Sequence, residues 1–316
     1  MNPTETLVVG TRGSQLARAQ SQWVIDRLQA THPGLSARME IITTRGDRQQ
    51  TKPLPEIGGK GLFTEELELA LRQGQIDLAV HSAKDLPTDL AEGLAILAVP
   101  VREDPRDAWV SADGTSFERL PAGSVVGTSS LRRQAQLLAR RPDLTFVGLR
   151  GNVDTRIRKI HGGSCAGAVL AMAGLNRLNL ARHVTHPLEV EVMLPAPGQG
   201  ALALEGRTKD ARLRGWLATI HDQATTLAVE TERAILRGLD AGCRAPVAVY
   251  ARVVNDRLQV QAQVMSADGK QALRAATGLP PMRWNECVAQ ILSDLRRQGA
   301  EQIVAACRER LKGQSP

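Results

Sequence analysis

Aromatic residues are nearly missing from this chain: they make up 3% of its 316 residues, with one tyrosine and three phenylalanines. Single strands and RNA are gripped largely by stacking bases on aromatic rings, and such platforms are almost absent here. Cysteine is scarce too. Cys165, Cys243, Cys287 and Cys307 lie far apart with no C-x-x-C pair, which argues against a disulfide framework or a zinc site and suits a reducing cytosol. No uninterrupted apolar stretch approaches the length of a membrane span, and the opening "MNPTETLVVGTRGSQLARAQ" holds no long apolar run. The expectation is a soluble, cytoplasmic protein, neither exported nor membrane-spanning. The six histidines show no readable metal-ligand spacing or Cys–His pairing, so no metal is expected.

Positive charge, by contrast, is plentiful. Lysine and arginine number 40 against 33 acids, for a formal charge of +7, and most of the bases are arginine. That balance calls for an anionic partner. With no C2H2 pattern, no basic zipper and so few aromatics, small polyanions fit it better than nucleic acid.

The length allows two domains, or three if they are small. "TLVVGTR" reads as a buried strand, "SQLARAQSQWVIDRLQATHPG" as a helix opened by Ser14, "RMEIITTRGD" as a strand, "FTEELELALRQG" as a helix capped by Thr64, and "QIDLAVHS" as a third strand. The alternation returns in "GSVVGTSS", "SLRRQAQLLARR", "LTFVGLRG", "NVDTRIRKI" and "GAVLAMAG". Two α/β layers with largely parallel sheets are therefore expected. "VPVREDPRDAWV" reads as the link between them, and "LPAPGQGALALEG" as a second crossing whose "ALALE" returns to the first sheet. Beyond it, a helix, two strands resembling an antiparallel pair and a long helical stretch make a smaller α+β domain. The expected division is 1–100 with 201–218, then 101–200, then 219–316.

In open α/β sheets, ligands gather outside the carboxyl ends of strands. Those positions hold Thr11, Arg12 and Ser14; His81, Ser82, Lys84 and Asp85; Thr128, Ser129, Ser130, Arg132 and Arg133; and Arg150, Asn152 and Arg156. Any one alone is as well explained as a solvated cap. Together they describe a ligand with several carboxylates or phosphates, because arginine forks bind such groups bidentately. "IGGKGLF" fails as a phosphate loop, since glycine follows Lys60 where Ser or Thr is required; it reads as a plain loop or as a mobile cover whose Lys60 reaches an anion. Asp85 is either a structural cap or a carboxylate kept ionised by nearby bases, able to stabilise a cation and relay a proton. Cys243, in the turn "GLDAGCRAPVAV", is either an ordinary loop thiol or one that covalently holds something.

In order along the chain, "TRGSQLA", "TRGD", "GGKGLF", "VHSAKDLP", "REDPRDA", "GTSSLRRQAQL", "RGNVDTR", "AGLNRL", "PGQGA" and "GCRAP" resemble the hydroxymethylbilane synthase (porphobilinogen deaminase) family. The resemblance implies two periplasmic-binding-protein-like α/β domains with mixed, largely parallel sheets, plus a smaller α+β C-terminal domain. It implies a dipyrromethane cofactor on Cys243 through a thioether, and porphobilinogen as substrate. Loss of ammonia from the substrate gives an electrophile to which the primer's terminal pyrrole is joined, and four additions precede release of a linear tetrapyrrole. By similarity Lys84, Thr128, Ser130, Arg132 and Arg133 would hold cofactor carboxylates, while Arg12, Ser14, Arg150, Arg156 and Arg177 would serve substrate and growing chain. Asp85 would be catalytic, Lys60 would act from the loop, and the protein would be a monomer with no nucleic-acid or membrane partner. Some members carry a lysine where this chain has Glu56, and uncharged residues where it has Arg244. A non-catalytic clamp for a small polycarboxylate and a nucleic-acid binder are the competing readings.

Overall fold

The computed structural model describes residues 6–48, 64–241 and 245–312. Its chain divides into two compact units, Met1–Glu103 with Ala201–Thr226 and Asp104–Gly200 with Leu227–Pro316.

In the first unit β1 (Leu7–Thr11) leads into helix α1 (Gln15–Thr31). Ser14 caps the helix by accepting the Ala17 N–H at 3.2 Å. Ala17, Val24, Ile25 and Leu28 recur on one helical face and are buried against the sheet. β2 (Ala37–Ile41) and a short helix α2 (Arg45–Arg48) follow. Next come α3 (Glu65–Arg72), β3 (Leu78–Ser82), which ends in a 3-10 turn over Ala83–Asp85, and β4 (Leu94–Ala98). β10 (Leu202–Arg207) completes the sheet in the order β2-β1-β3-β10-β4. β1 is parallel to β2 and β3, and β10 runs antiparallel to both of its neighbours. "ALALE" thus returns to the first sheet as its sequence suggests. Helix α7 (Ala211–Leu217) packs Leu213 and Leu217 into the same core.

The second unit repeats the plan. β5 (Asp107–Ser111), β6 (Val125–Gly127), α4 (Leu131–Leu138), β7 (Thr145–Val147), α5 (Val153–His161), β8 (Gly167–Ala171), α6 (Met172–Arg177) and β9 (His186–Leu188) give a sheet ordered β7-β6-β8-β5-β9. β6 is parallel to β7 and β8, and β5 is antiparallel to β8 and β9. Both sheets therefore share one order and one reversed strand. The link read in "VPVREDPRDAWV" needs correction, because its last residues begin β5, the reversed strand, with Trp109 fully buried. Charge flanking the apolar run conceals the strand in the sequence.

After Leu227 this unit carries a second core of its own, built from residues 228–307. Helix α8 (Gln223–Gly238) precedes β11 (Val247–Val254), β12 (Arg257–Met265) and β13 (Ala272–Leu279), an antiparallel meander. Asn255 and Asp256, both at positive φ (49° and 55°), form the tight turn that the β11–β12 hairpin requires. The long helical stretch that follows is two helices, α9 (Trp284–Arg297) and α10 (Ala300–Lys312), broken at Gly299 with φ 98°. The fold class is α/β, with two mixed, largely parallel sheets and a smaller α+β part.

Candidate functional site

In the first unit the strand-end residues stand at the carboxyl ends of β1 and β3, which lie side by side and parallel. Arg12 leaves β1 and forks onto Asp47 of α2, with Nη2 2.5 Å from Oδ1 and Nε 3.2 Å from the same oxygen. The Thr44 hydroxyl donates to Asp47 at 2.7 Å. Burial alone would raise the Asp47 carboxyl; the bonds from Arg12 and Thr44 outweigh it and lower it. Asp47, the acid of "TRGD", thus orients the guanidinium. Ser14 is half-buried and committed as a cap, with its own hydroxyl proton still available.

At the end of β3 the Ser82 hydroxyl accepts the Gln20 amide at 2.9 Å, and Ala83 N–H donates to the Ala201 carbonyl at 3.0 Å. The 3-10 turn then presents Lys84 half-buried and Asp85 exposed. His81, one of the strand-end inventory, instead points inward to Glu205 of β10.

The second unit gathers its residues at the ends of β6, β7 and β8, with β6 in the middle. Thr128 is buried, and its hydroxyl accepts the Ser130 N–H at 3.1 Å. Ser130 caps α4, accepting the Arg133 N–H at 3.5 Å. Arg132 and Arg133 on α4 are both buried on one carboxylate, Asp107 of β5, each through Nη2 at 2.7 Å. Arg132 Nη1 donates to the Leu194 carbonyl at 2.6 Å, Arg133 Nη1 to the Val169 carbonyl at 2.9 Å, and the Gln199 amide adds a 3.0 Å bond to Asp107. Burial would raise the Asp107 carboxyl, but the two guanidiniums hold it far below the ordinary carboxylate range.

Two buried cations against one buried anion leave an excess positive charge. Each guanidinium has five N–H bonds and spends only some of them on Asp107 and the carbonyls. An anionic ligand would satisfy the rest, so the donor set fits a polycarboxylate.

At the end of β7, Arg150 and Arg156 are half-buried, and Arg156 Nε donates to the Gly151 carbonyl at 2.8 Å. Gly151 sits at φ 110°, and a Cβ there would lie 2.8 Å from Cγ2 of Thr155. Gly151→Ala should therefore lose about 1–3 kcal/mol of stability through backbone strain and collision. Because Arg150 and Asn152 flank it, KM for the anionic ligand should rise more than kcat falls, which thermal unfolding and steady-state kinetics would check. Beyond β8, Arg177 at the end of α6 donates from Nη2 to the Gly200 carbonyl at 2.8 Å.

Lys60, Glu56, Cys243 and Arg244 lie outside the described residues. Cys165, Cys287 and Cys307 are buried, and burial pushes the Cys165 and Cys287 thiols up, away from nucleophilic thiolate. Among the described residues no cluster of three His, Cys, Asp or Glu could hold a metal ion.

Sequence reasoning missed Asp107, Asp47 and Gln199, although each stands in a quoted string. The signal for Asp107 is an acid at the entry to the apolar run "DAWVS".

Comparison with known proteins adds to this geometry. A family model described as "Porphobilinogen deaminase, dipyromethane cofactor binding domain" matches residues 7–215, and one described as "Porphobilinogen deaminase, C-terminal domain" matches residues 226–312. The chain is 48% identical over 303 residues to a porphobilinogen deaminase of Syntrophotalea carbinolica, covering 96% of each chain. It is 50% identical over 302 residues to one of Desulforudis audaxviator, covering 96% of this chain and 98% of that one. Among solved structures it is similar to the VFT2 domain of Bordetella pertussis BvgS, at 18% identity and a TM-score of 0.41, over 69% of this chain and 87% of that one.

Proposed function

Because the chain belongs to the porphobilinogen deaminase family, we propose that its strand-end cations and hydroxyls hold the carboxylates of that family's cofactor, substrate and growing product. The activity is a transferase step of tetrapyrrole and haem biosynthesis: four porphobilinogen molecules are joined head to tail on a dipyrromethane primer, with release of ammonia and hydroxymethylbilane. When bound, the dipyrromethane supplies the nucleophilic pyrrole carbon.

The observation that carries the assignment of residues is the buried pairing of Arg132 and Arg133 on Asp107 beside the Ser130 cap, a positive excess built to meet an anion. Lys84, Thr128, Ser130, Arg132 and Arg133 bind cofactor carboxylates, with charge-assisted bonds worth about 1.5–3 kcal/mol each. Arg12, Ser14, Arg150, Arg156 and Arg177 receive the carboxylates of porphobilinogen and of the lengthening chain, joined by Lys60. Each added ring brings an acetate and a propionate, so without matched cations the product's own charges would repel its elongation. Asp85, exposed where β3 ends, faces the cation that develops as ammonia leaves and takes up the proton lost when the ring regains aromaticity.

Cys243 is the proposed thioether attachment point, a reading supported by the burial of the other three cysteines. Intact-protein mass spectrometry should show an excess of two linked pyrroles that is lost in Cys243→Ser. An unmodified mass in freshly purified active protein would overturn the attachment.

The three-domain division 1–100 with 201–218, 101–200 and 219–316 is proposed with this function, supported by the separate core formed after Leu227. A cytosolic monomer with no nucleic-acid partner is the companion proposal. The small aromatic content supports the last point, and among the described residues no helix is long and apolar enough to cross a membrane.

A further inference from the structure

Beneath the carboxyl end of β3 lies a group of ionisable side chains that the proposed chemistry does not use. Glu205 on β10 pairs across the strands with Ala79, and His81 stands two residues beyond Ala79, so both project toward the face where Ala79 packs on Leu67 and Leu71 of α3. Glu68 lies on α3 between Leu67 and Leu71, near enough for the charge of Glu205 and the imidazole of His81 to act on its carboxyl. All three are buried, with 8% of Glu68, 6% of His81 and none of Glu205 exposed.

His81 Nε2 lies 3.0 Å from Glu205 Oε2. Even so, neither that nitrogen nor either Glu205 oxygen meets hydrogen-bond geometry, and Glu68 Oε1 is likewise buried without a partner among the described residues. Orphaned buried carboxylate oxygens cost stability. Two carboxylates and one imidazole would also leave a net negative charge in the core if both acids were ionised. One proton on Glu68 eases both difficulties, because it reduces the negative charge of the cluster and brings a donor into a group whose buried carboxylate oxygens have none.

We propose that Glu68 carries a proton shared with Glu205, and that the Glu68–His81–Glu205 cluster is a positioning device for the end of β3 that bears Lys84 and Asp85. This rests on the reading of Asp85 as the catalytic carboxylate. The cluster clamps three elements together one residue before the strand gives way to the turn that presents Asp85, where Ala83 also bonds Ala201 ahead of β10. Burial first, and the Glu205 charge second, raise the Glu68 carboxyl, with His81 and Arg72 opposing and Glu65 adding to the rise. β1 and β4, the other strands of this part of the sheet, carry no ionisable side chain. A raised carboxyl stabilises the fold fully at low pH and loses that contribution as pH climbs through its folded value. The clamp therefore loosens on the alkaline side, and Glu68→Gln fixes its neutral form.

The test uses the full-length enzyme with its cofactor, wild type against Glu68→Gln, from about pH 5 to 8. Infrared difference spectra should show the carbonyl stretch of a buried protonated carboxyl group in wild type, fading as pH rises and missing from the variant. Tm of the variant should gain on wild type with rising pH, and the kcat ratio of variant to wild type should climb by about threefold or more over that range. His81→Asn, which removes the imidazole that opposes the rise of the Glu68 carboxyl, should keep the band to higher pH, and it serves as the readout should Glu68→Gln not fold. A band that survives Glu68→Gln, a Tm difference flat with pH, or a band unmoved by His81→Asn overturns the shared proton. A flat kcat ratio beside the expected band and Tm trend overturns the positioning role. Normal turnover in Asp85→Asn would instead sink the catalytic reading, while the band and Tm trend still report on the cluster.

Discussion

Asp85→Asn should fold, keep its dipyrromethane and turn over about 10²–10⁴ times more slowly than wild type. The fold should survive because Asp85 is exposed on a 3-10 turn and, among the described residues, makes no hydrogen bond or ion pair; an isosteric change there costs less than about 0.5 kcal/mol. Cofactor retention follows from the proposed division of labour, in which Lys84 and the Arg132–Arg133 pair hold carboxylates and Asp85 holds none. The loss should fall on kcat, with KM little changed, because a carboxylate acting on developing positive charge is felt in the transition state and hardly at all in the bound ground state. Intact mass should still show the two-ring excess while stopped-assay ammonia release is slow. Turnover near the wild-type rate would remove Asp85 from the chemistry, and loss of the mass excess would place it among the cofactor's supports instead. Lys84→Met supplies the contrast, since a carboxylate-binding cation should affect loading before it affects kcat.

Much of this arrangement is legible in the sequence because it is local. Ser14 and Ser130 stand directly before apolar-periodic runs and cap them, and "ALALE" carries enough apolar character to be a buried strand wherever it pairs. The strand-end cations are visible for the same reason: each follows its own strand. What escapes notice is non-local. Asp107 reads as one more charge in a charged link until α4 brings Arg132, 25 residues later, onto it. Glu68, four residues along an acidic helix start, looks like a solvated face; only the pairing of β3 with β10, 137 positions from Glu68 to Glu205, turns it into a buried acid. The meander's third strand, Ala272–Leu279, holds two arginine- and threonine-bearing turns of the pleat that mask its period, and Gly299 breaks a helical stretch whose apolar pattern continues on both sides.

Asp107→Leu should be the most damaging of single substitutions outside the reacting groups. It deletes the one carboxylate on which two buried guanidiniums close, and an uncompensated buried charge costs about 3–5 kcal/mol, or on the order of 10 °C in Tm for a unit of this size. The pH dependence is specific. Asp107 is lowered from its ordinary value of 3.8, so its contribution is complete above that value and is lost only as pH falls through the lower, folded one. The Tm gap between wild type and Asp107→Leu should therefore be flat from about pH 5 upward and narrow only in strong acid, the opposite trend to Glu68→Gln. Dipyrromethane loading should fall with stability, because Arg132 and Arg133 lose the anchor that aims them. The decisive comparison is the double variant Asp107→Leu with Arg133→Met. If the harm comes from unpaired buried charge, removing one of the two cations should recover a large part of the lost Tm, a coupling that additive effects cannot produce. Equal or greater loss in the double variant would show that Asp107 supports the β5 backbone and not the guanidinium pair.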